Sequence, residues 1–214
     1  MRLIRPSAEI LTGTINLHLI ERAGRTCYKS EDKITPDSAE KFARMILQRG
    51  HESVIEHASA TVRFVCDRGV SHEIVRHRLA SYSQESTRYC DYAGGHITFV
   101  LPPWVNVPTG VYASQQKITF EPPSNGARVW VEAMLHAERT YQALRKGSEW
   151  KPERARSVLP NSLKTEIVMT ANLREWRHFL KLRTAAAAHP QMREVALSLL
   201  RSFKGAVPVI FDDL

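Results

Sequence analysis

The sequence lacks the common phosphate-cradling glycine loops. Neither G-x-G-x-x-G nor G-x-x-x-x-G-K-[ST] occurs among its 214 residues, which argues against a Rossmann fingerprint or a P-loop. G-x-S-x-G is also missing, so an α/β-hydrolase elbow is not expected. Cysteine is scarce: Cys27, Cys66 and Cys90 lie far apart and in no C-x-x-C pair. That argues against a disulfide framework and a thiolate zinc site, and for a reducing cytoplasm. No apolar run approaches the ~20 residues of a membrane span. The N-terminal MRLIRPSAEI carries no apolar signal-peptide region. No internal repeat occurs, and the alanine run 185–188 is the sole low-complexity segment.

What is present reads as an ordinary globular chain. It is 43% hydrophobic and 24% charged, the balance of a soluble protein. Its length suits a single domain, 1–214, with a real core. The net charge of +8 points to anionic partners: nucleic acid, nucleotides or polyanionic cofactors.

The patterns predict strands at 2–5, 61–66, 97–101 and 165–170, where β-branched and aromatic residues gather. Helices are predicted at 17–27, 36–50, 70–78, 127–146, 173–184 and 191–203, with a short one from Pro152 to before Pro160. Pro36 opens and Gly50 closes one of them; Ser124 caps another and Gly147 stops it. Most loop signals fall in 93–125, among them Gly94-Gly95, Pro102-Pro103 and Pro122-Pro123. Helices dominate without regular βαβ alternation, which predicts an α+β fold.

Three stretches carry chemistry. RHRLASYSQESTRY, residues 76–89, packs three arginines and a histidine among hydroxyl side chains. Extending the 70–78 helix puts Glu73, Arg76 and His77 on one face at i, i+3 and i+4. The polar 81–87 then leaves as a loop, in which Ser86, Thr87, Arg88 and backbone amides would surround an anion. The same composition also suits a solvated surface loop with stray salt bridges. In NLREWRHFLKLR, residues 172–183, Leu173, Trp176 and Leu180 form an apolar stripe. Arg174, Arg177, His178 and Lys181 form a polar one. Arg183 falls near Trp176 on the apolar side at ~100° per residue, so it is either paired or snorkelling, or aimed into a site. Arg156, before Pro160, suits a helix C-terminus on electrostatic grounds alone.

Histidines invite a metal reading. In SHEIVRH, His72 and His77 are five apart, and a zincin needs four. HESVIEH, residues 51–57, is more simply a hydrogen-bonded network than a metal site. No metal is expected.

RHR, then seven residues, then Ser86, resembles the signature of the flavin-dependent thymidylate synthases. HESVIEH is similar to that family's H-x-x-x-x-E-H block, and RSVLP followed by NLREWRHFLKLR to its C-terminal half. The resemblance runs from about residue 45 to about 200 and is weakest at 93–125. It implies an α+β fold, mainly antiparallel sheet with packed helices, assembled as a homotetramer with shared sites. It implies conversion of dUMP to dTMP with FAD, NADPH and methylenetetrahydrofolate, and neither a nucleic-acid nor a membrane partner. By position, Ser53, Arg76, His77, Arg78, Gln84, Asn172, Arg174 and His178 look like flavin contacts. Glu73, Arg76, Gln84, Glu85, Ser86, Thr87, Arg88, Arg156 and Arg183 look like dUMP contacts. His51 and Glu56 resemble residues lining the flavin and folate region. Arg183 would stabilise the uracil ionised at N3, and Arg88 and Arg156 would clamp the phosphate. Ser86 reads as a positioning hydroxyl. The chain departs from the pattern at Glu73 and Gln84, where relatives often have the amide and the acid in reverse, and at His178, where some have Asn. RTAAAAHPQ looks longer than the matching segment of some relatives, which leaves the role of His189 open.

Two other classes stay in view. A basic nucleic-acid-binding protein would bind DNA with steep salt dependence and no flavin. A hydrolase using His51, His57 and His72 would hold a stoichiometric metal.

Overall fold

The computed structural model describes residues 1–12, 14–112 and 124–214. The predicted loop signal at Pro122-Pro123 lies outside the described residues. In chain order the elements begin with β1 (Arg2–Ile4), β2 (Ser7–Ile10), α1 (Leu17–Thr26), α2 (Ser38–Gln48), β3 (Ser59–Asp67), α3 (Arg68–Ile74) and β4 (Ala80–Gln84). They continue with β5 (Thr98–Val100), β6 (Gly110–Val111), α4 (Asn125–Lys146), α5 (Pro152–Ala155), β7 (Lys164–Asn172), α6 (Leu173–Thr184), α7 (Pro190–Ala206) and α8 (Pro208–Phe211). A 3-10 turn spans Glu52–His57. The mixture of helices and sheets is the predicted α+β class.

Two strands explain themselves by burial. β3 buries Ala60, Val62, Phe64 and Cys66, and β7 buries Thr165, Ile167, Met169 and Ala171. Every second residue points inward, the period of a strand.

The chain divides into two compact units. The first comprises Met1–Pro6, Val65–Ile74 and Gln84–Ile167. Its sheet runs β5-β1-β6. β1 is antiparallel to β6 but parallel to β5, with Leu3 opposite Phe99. The parallel pair needs a long connection between its strands, and the chain supplies one. The core joins Leu3, Phe99 and Leu101 to Val131, Leu135 and Tyr141 of α4. Ser124 caps α4 by accepting from the Ala127 amide.

The second unit comprises Ser7–Phe64, Val75–Ser83 and Val168–Leu214. All four strands of the sheet β2-β3-β7-β4 have residues in it. α6 follows β7 directly, because the Asn172 side chain caps it by accepting from the Glu175 amide at 2.9 Å. Leu173, Trp176 and Leu180, the predicted stripe, are buried. The Trp176 ring lies 6.3 Å from Phe64 and 5.4 Å from Phe203, and its indole N–H donates to the Ala60 carbonyl.

One expectation is corrected here. Arg177 does not belong to a solvated face: it is 3% exposed. Two of its nitrogens donate to Asp213, each at 2.6 Å. It also donates to Glu52 at 3.4 Å and to the Ile210 carbonyl. The C-terminal segment thereby covers that side of α6, a long-range contact no local pattern encodes.

α1 meets its surroundings through Gly24, where a Cβ would stand 2.5 Å from the Phe42 ring and 2.9 Å from Val54. Gly24→Ala is therefore expected to cost about 1–3 kcal/mol through overpacking. An unchanged thermal midpoint would contradict this close approach.

Candidate active site

The RHR segment sits in the second unit, beyond the end of α3. That helix stops at Ile74, so the predicted 70–78 helix is too long. Arg76 lies in a turn, and His77 and Arg78 precede β4. The shared helical face of Glu73, Arg76 and His77 is therefore not formed. The predicted 81–87 loop is corrected over 81–84, because Ala80–Gln84 is a strand, while 85–87 lie outside it. Its side chains are mostly hydroxyls and an amide, with no apolar alternation to betray it.

His77 is the buried centre of this region, 5% exposed. Its Nδ1 lies 3.0 Å from Oε1 of Glu175, which is itself buried. Its Nε2 lies 3.1 Å from Nε of Arg183, which donates to it. The ring packs 4.8 Å from Phe179 and edge-on to His178 at 5.8 Å. The Tyr82 hydroxyl donates to the His77 carbonyl at 2.5 Å. Burial pushes the His77 pKa below the ordinary imidazole value and the Arg183 charge adds to this, while the bond to Glu175 works the other way. Burial, with Glu175 nearby, pushes the Tyr82 phenol up to about 12, so it stays a donor.

Arg76, His77, Arg78, Leu79, Glu175, His178, Leu182 and Arg183 line one pocket of ≈ 290 Å³. A neighbouring pocket of ≈ 590 Å³ is lined by Glu52, Glu56, Leu79, Asn172, Arg174, Glu175, His178 and Lys181. The two share Leu79, Glu175 and His178. Leu79 is 74% exposed, an apolar surface beside cations. Arg174 is exposed and donates to Glu56 at 2.6 Å. Ser53 faces elsewhere. It lines a groove of ≈ 750 Å³ together with Phe42, Met45, His51, Val54 and four cations, Arg25, Lys33, Lys41 and Arg49. No carboxylate is among the described residues lining that groove.

The remaining predicted residues belong to the first unit. Ser86 begins a turn in which its hydroxyl accepts from the Arg88 amide at 3.3 Å and its carbonyl from the Cys90 amide at 2.9 Å. A side chain so placed shapes the turn. Arg156 donates to Thr87 Oγ1 at 3.1 Å, which brings the two predicted phosphate-clamp segments together. Gln84 donates to Ser71 and Thr165. Both carboxylate oxygens of Glu85 are engaged, one by Tyr92 at 2.7 Å and one by Lys164 at 2.9 Å. Glu85 thus acts on its surroundings through a protein network. Glu73 is half-buried in α3.

Among the described residues, His51, His57 and His72 form no three-ligand cluster. His77, Glu175 and His178 do place ligand atoms within 4.8 Å of one another. The Arg183 guanidinium against the His77 ring opposes a second cation there. Sequence reasoning missed Glu175. An acid in the first turn of a helix ordinarily reads as complementing the helix dipole, so nothing local marked it.

A family model described as "Thymidylate synthase complementing protein" matches residues 10–209. The chain is 37% identical over 202 residues to the flavin-dependent thymidylate synthase of Mycobacteroides abscessus, covering 91% of this chain and 78% of that one. It is 37% identical over 199 residues to that of Geobacter sulfurreducens, with 89% and 78% covered. Among solved structures, it resembles thymidylate synthase X from Helicobacter pylori, solved with FAD and dUMP. The TM-score is 0.77, the identity 22%, and 97% of this chain and 98% of that one are covered. It also resembles a UMP/dUMP methylase from Streptomyces cacaoi bound with 5-Br dUMP, with a TM-score of 0.75, 25% identity, and 99% and 96% covered. No helix among the described residues is long and apolar enough to cross a membrane.

Proposed function

The chain belongs to the flavin-dependent thymidylate synthase family, and from that premise we propose that it converts dUMP to dTMP, with methylenetetrahydrofolate as carbon donor and NADPH as reductant. The observation that carries the residue assignments is the gathering of Arg76, His77, Arg78, His178 and Arg183 around one pocket. The residues suit FAD although no Rossmann loop exists. Arg25 in the Ser53 groove is paired with Glu21, but Lys33, Lys41 and Arg49 line it as well, which favours a pyrophosphate, and exposed Leu79 offers an apolar face to a planar ring. In this reading Ser53, Arg76, His77, Arg78, Gln84, Asn172, Arg174 and His178 hold the flavin. When bound, it supplies the two-electron chemistry.

The chain's own residues do the rest. Arg88 and Arg156, with the Ser86–Thr87 turn, bind the nucleotide phosphate. Glu73, Arg76, Gln84 and Glu85 complete the nucleotide's surroundings. Arg183 stabilises negative charge on the uracil as N3 ionises, a preorganised cation acting where charge develops. Ser53 lines a different groove from the RHR pocket of the same chain. In the same reading the chain assembles as a homotetramer whose sites draw residues from more than one copy, with 1–214 as one catalytic domain acting in the cytoplasm.

The test is the visible absorption spectrum of the protein after FAD incubation and desalting. Retained flavin bands that shift on adding dUMP are the expected result. A colourless protein would remove the flavin reading and turn attention to DNA titrations at two salt concentrations.

A further inference from the structure

The hydrogen bonds around His77 determine where its proton sits. Arginine stays protonated in proteins, so the Arg183 Nε–H can only donate. It lies 3.1 Å from His77 Nε2, which must therefore offer a lone pair. The ring's single proton is then on Nδ1, donated to Glu175 Oε1 at 3.0 Å. The other neutral tautomer, and the imidazolium, would each set an N–H against the N–H of Arg183. The downward push of burial on the His77 pKa agrees with a neutral ring.

The ring has little freedom to turn. Tyr82 holds its backbone carbonyl, and Phe179 and His178 pack on it. Glu175 is buried in the first turn of α6, its amide fixed by the Asn172 cap. Glu175 and Arg183 stand eight residues apart on that helix, ~12 Å along its axis. Arg183 leans back toward the N-terminus, as helical side chains do, and the His77 ring bridges the two.

We propose that Glu175 and His77 form a positioning relay: the Glu175 carboxylate holds His77 as the Nδ1–H tautomer, and the Nε2 lone pair aims the Arg183 guanidinium. Glu175 is then a positioning residue of the active site. The proposal rests on the reading of Arg183 as the uracil-activating cation.

Two measurements on the full chain test it. The first is a long-range ¹H–¹⁵N correlation spectrum of histidine-labelled protein, the His77 ring being assigned by its loss in His77→Gln. Protonated, pyrrole-like Nδ1 and pyridine-like Nε2 are expected, without flavin or nucleotide. An Nε2–H ring, a doubly protonated ring at neutral pH, or joint shifts of His77 and His178 on adding Zn²⁺ would each overturn the relay. The second measurement is dUMP turnover. Glu175→Leu, assayed at saturating FAD, is expected to lower kcat roughly 10–100-fold, the usual cost of losing an orienting partner. Glu175→Gln, whose amide oxygen still accepts from Nδ1–H, should recover most of it. Equal kcat in wild type and Glu175→Leu would overturn the positioning role. If Glu175→Leu fails to fold, the wild-type spectrum and Glu175→Gln decide. A wild type that binds FAD, shows the Nδ1–H ring and makes no dTMP would sink the reading of Arg183 instead, while the ring still supports the relay.

Discussion

Arg183→Ala is expected to retain FAD and to lose roughly 10²–10³ in kcat with dUMP, the effect of removing one preorganised charge-stabilising donor. The side chain is half-buried in the RHR pocket, and its Nε is held by His77. A cation fixed before the reaction needs no reorganisation as charge develops on the uracil, and a partly dry setting strengthens it. Flavin retention should survive, because Lys33, Lys41 and Arg49 lining the Ser53 groove are untouched. Arg183→Lys keeps the charge but loses the fixed fork of donors, so it should recover only part of the rate. Steady-state kinetics and the flavin absorbance of the desalted variants check this. Normal turnover in Arg183→Ala would remove the catalytic assignment.

Arg174→Ala and Arg177→Ala should behave oppositely, though only one helical turn separates them. Arg177 is buried, and Asp213 and Glu52 neutralise it. Burial disfavours its charge, yet the bonds to Asp213 and Glu52 prevail and raise its pKa. Breaking a fully buried pair costs about 3–5 kcal/mol. Here the Asp213 side chain is 59% exposed, so a loss of about 2–4 kcal/mol is expected. At this chain length that lowers the melting temperature by roughly 4–16 °C. Flavin should still bind the folded fraction. Arg174 is 53% exposed and pairs with Glu56 at the pocket rim. Surface pairs contribute about 0–1 kcal/mol, so Arg174→Ala should melt almost like the wild type and retain less FAD. Melting curves and flavin retention read on the same samples separate the two roles; equal destabilisation of both variants would contradict the burial pattern.

These arginines also show what was legible in the sequence. The helix 173–184 was predicted with its observed bounds, because Leu173, Trp176 and Leu180 fall on one face. β3 and β7 were found from their β-branched content, each shorter than observed. The wheel misjudged Arg177, since residues at the far end of the chain decide its burial. α3 was drawn too long because Val75 continues the apolar pattern past Ile74. β4 was read as a loop because ASYSQ exposes or half-buries every position. Strand pairing, not composition, makes it a strand. The proposed nucleotide and flavin residues came from family resemblance. Glu175 emerged from its contact with a histidine 98 residues away.

The measurement that bears most directly on the whole account is dTMP formation from dUMP by purified protein. FAD, NADPH and methylenetetrahydrofolate would be supplied together and then each left out in turn. The account predicts dTMP in the complete mixture, its loss when NADPH or methylenetetrahydrofolate is omitted, and its loss without FAD only in protein stripped of flavin. No dTMP from folded, FAD-bearing protein in the complete mixture would contradict it.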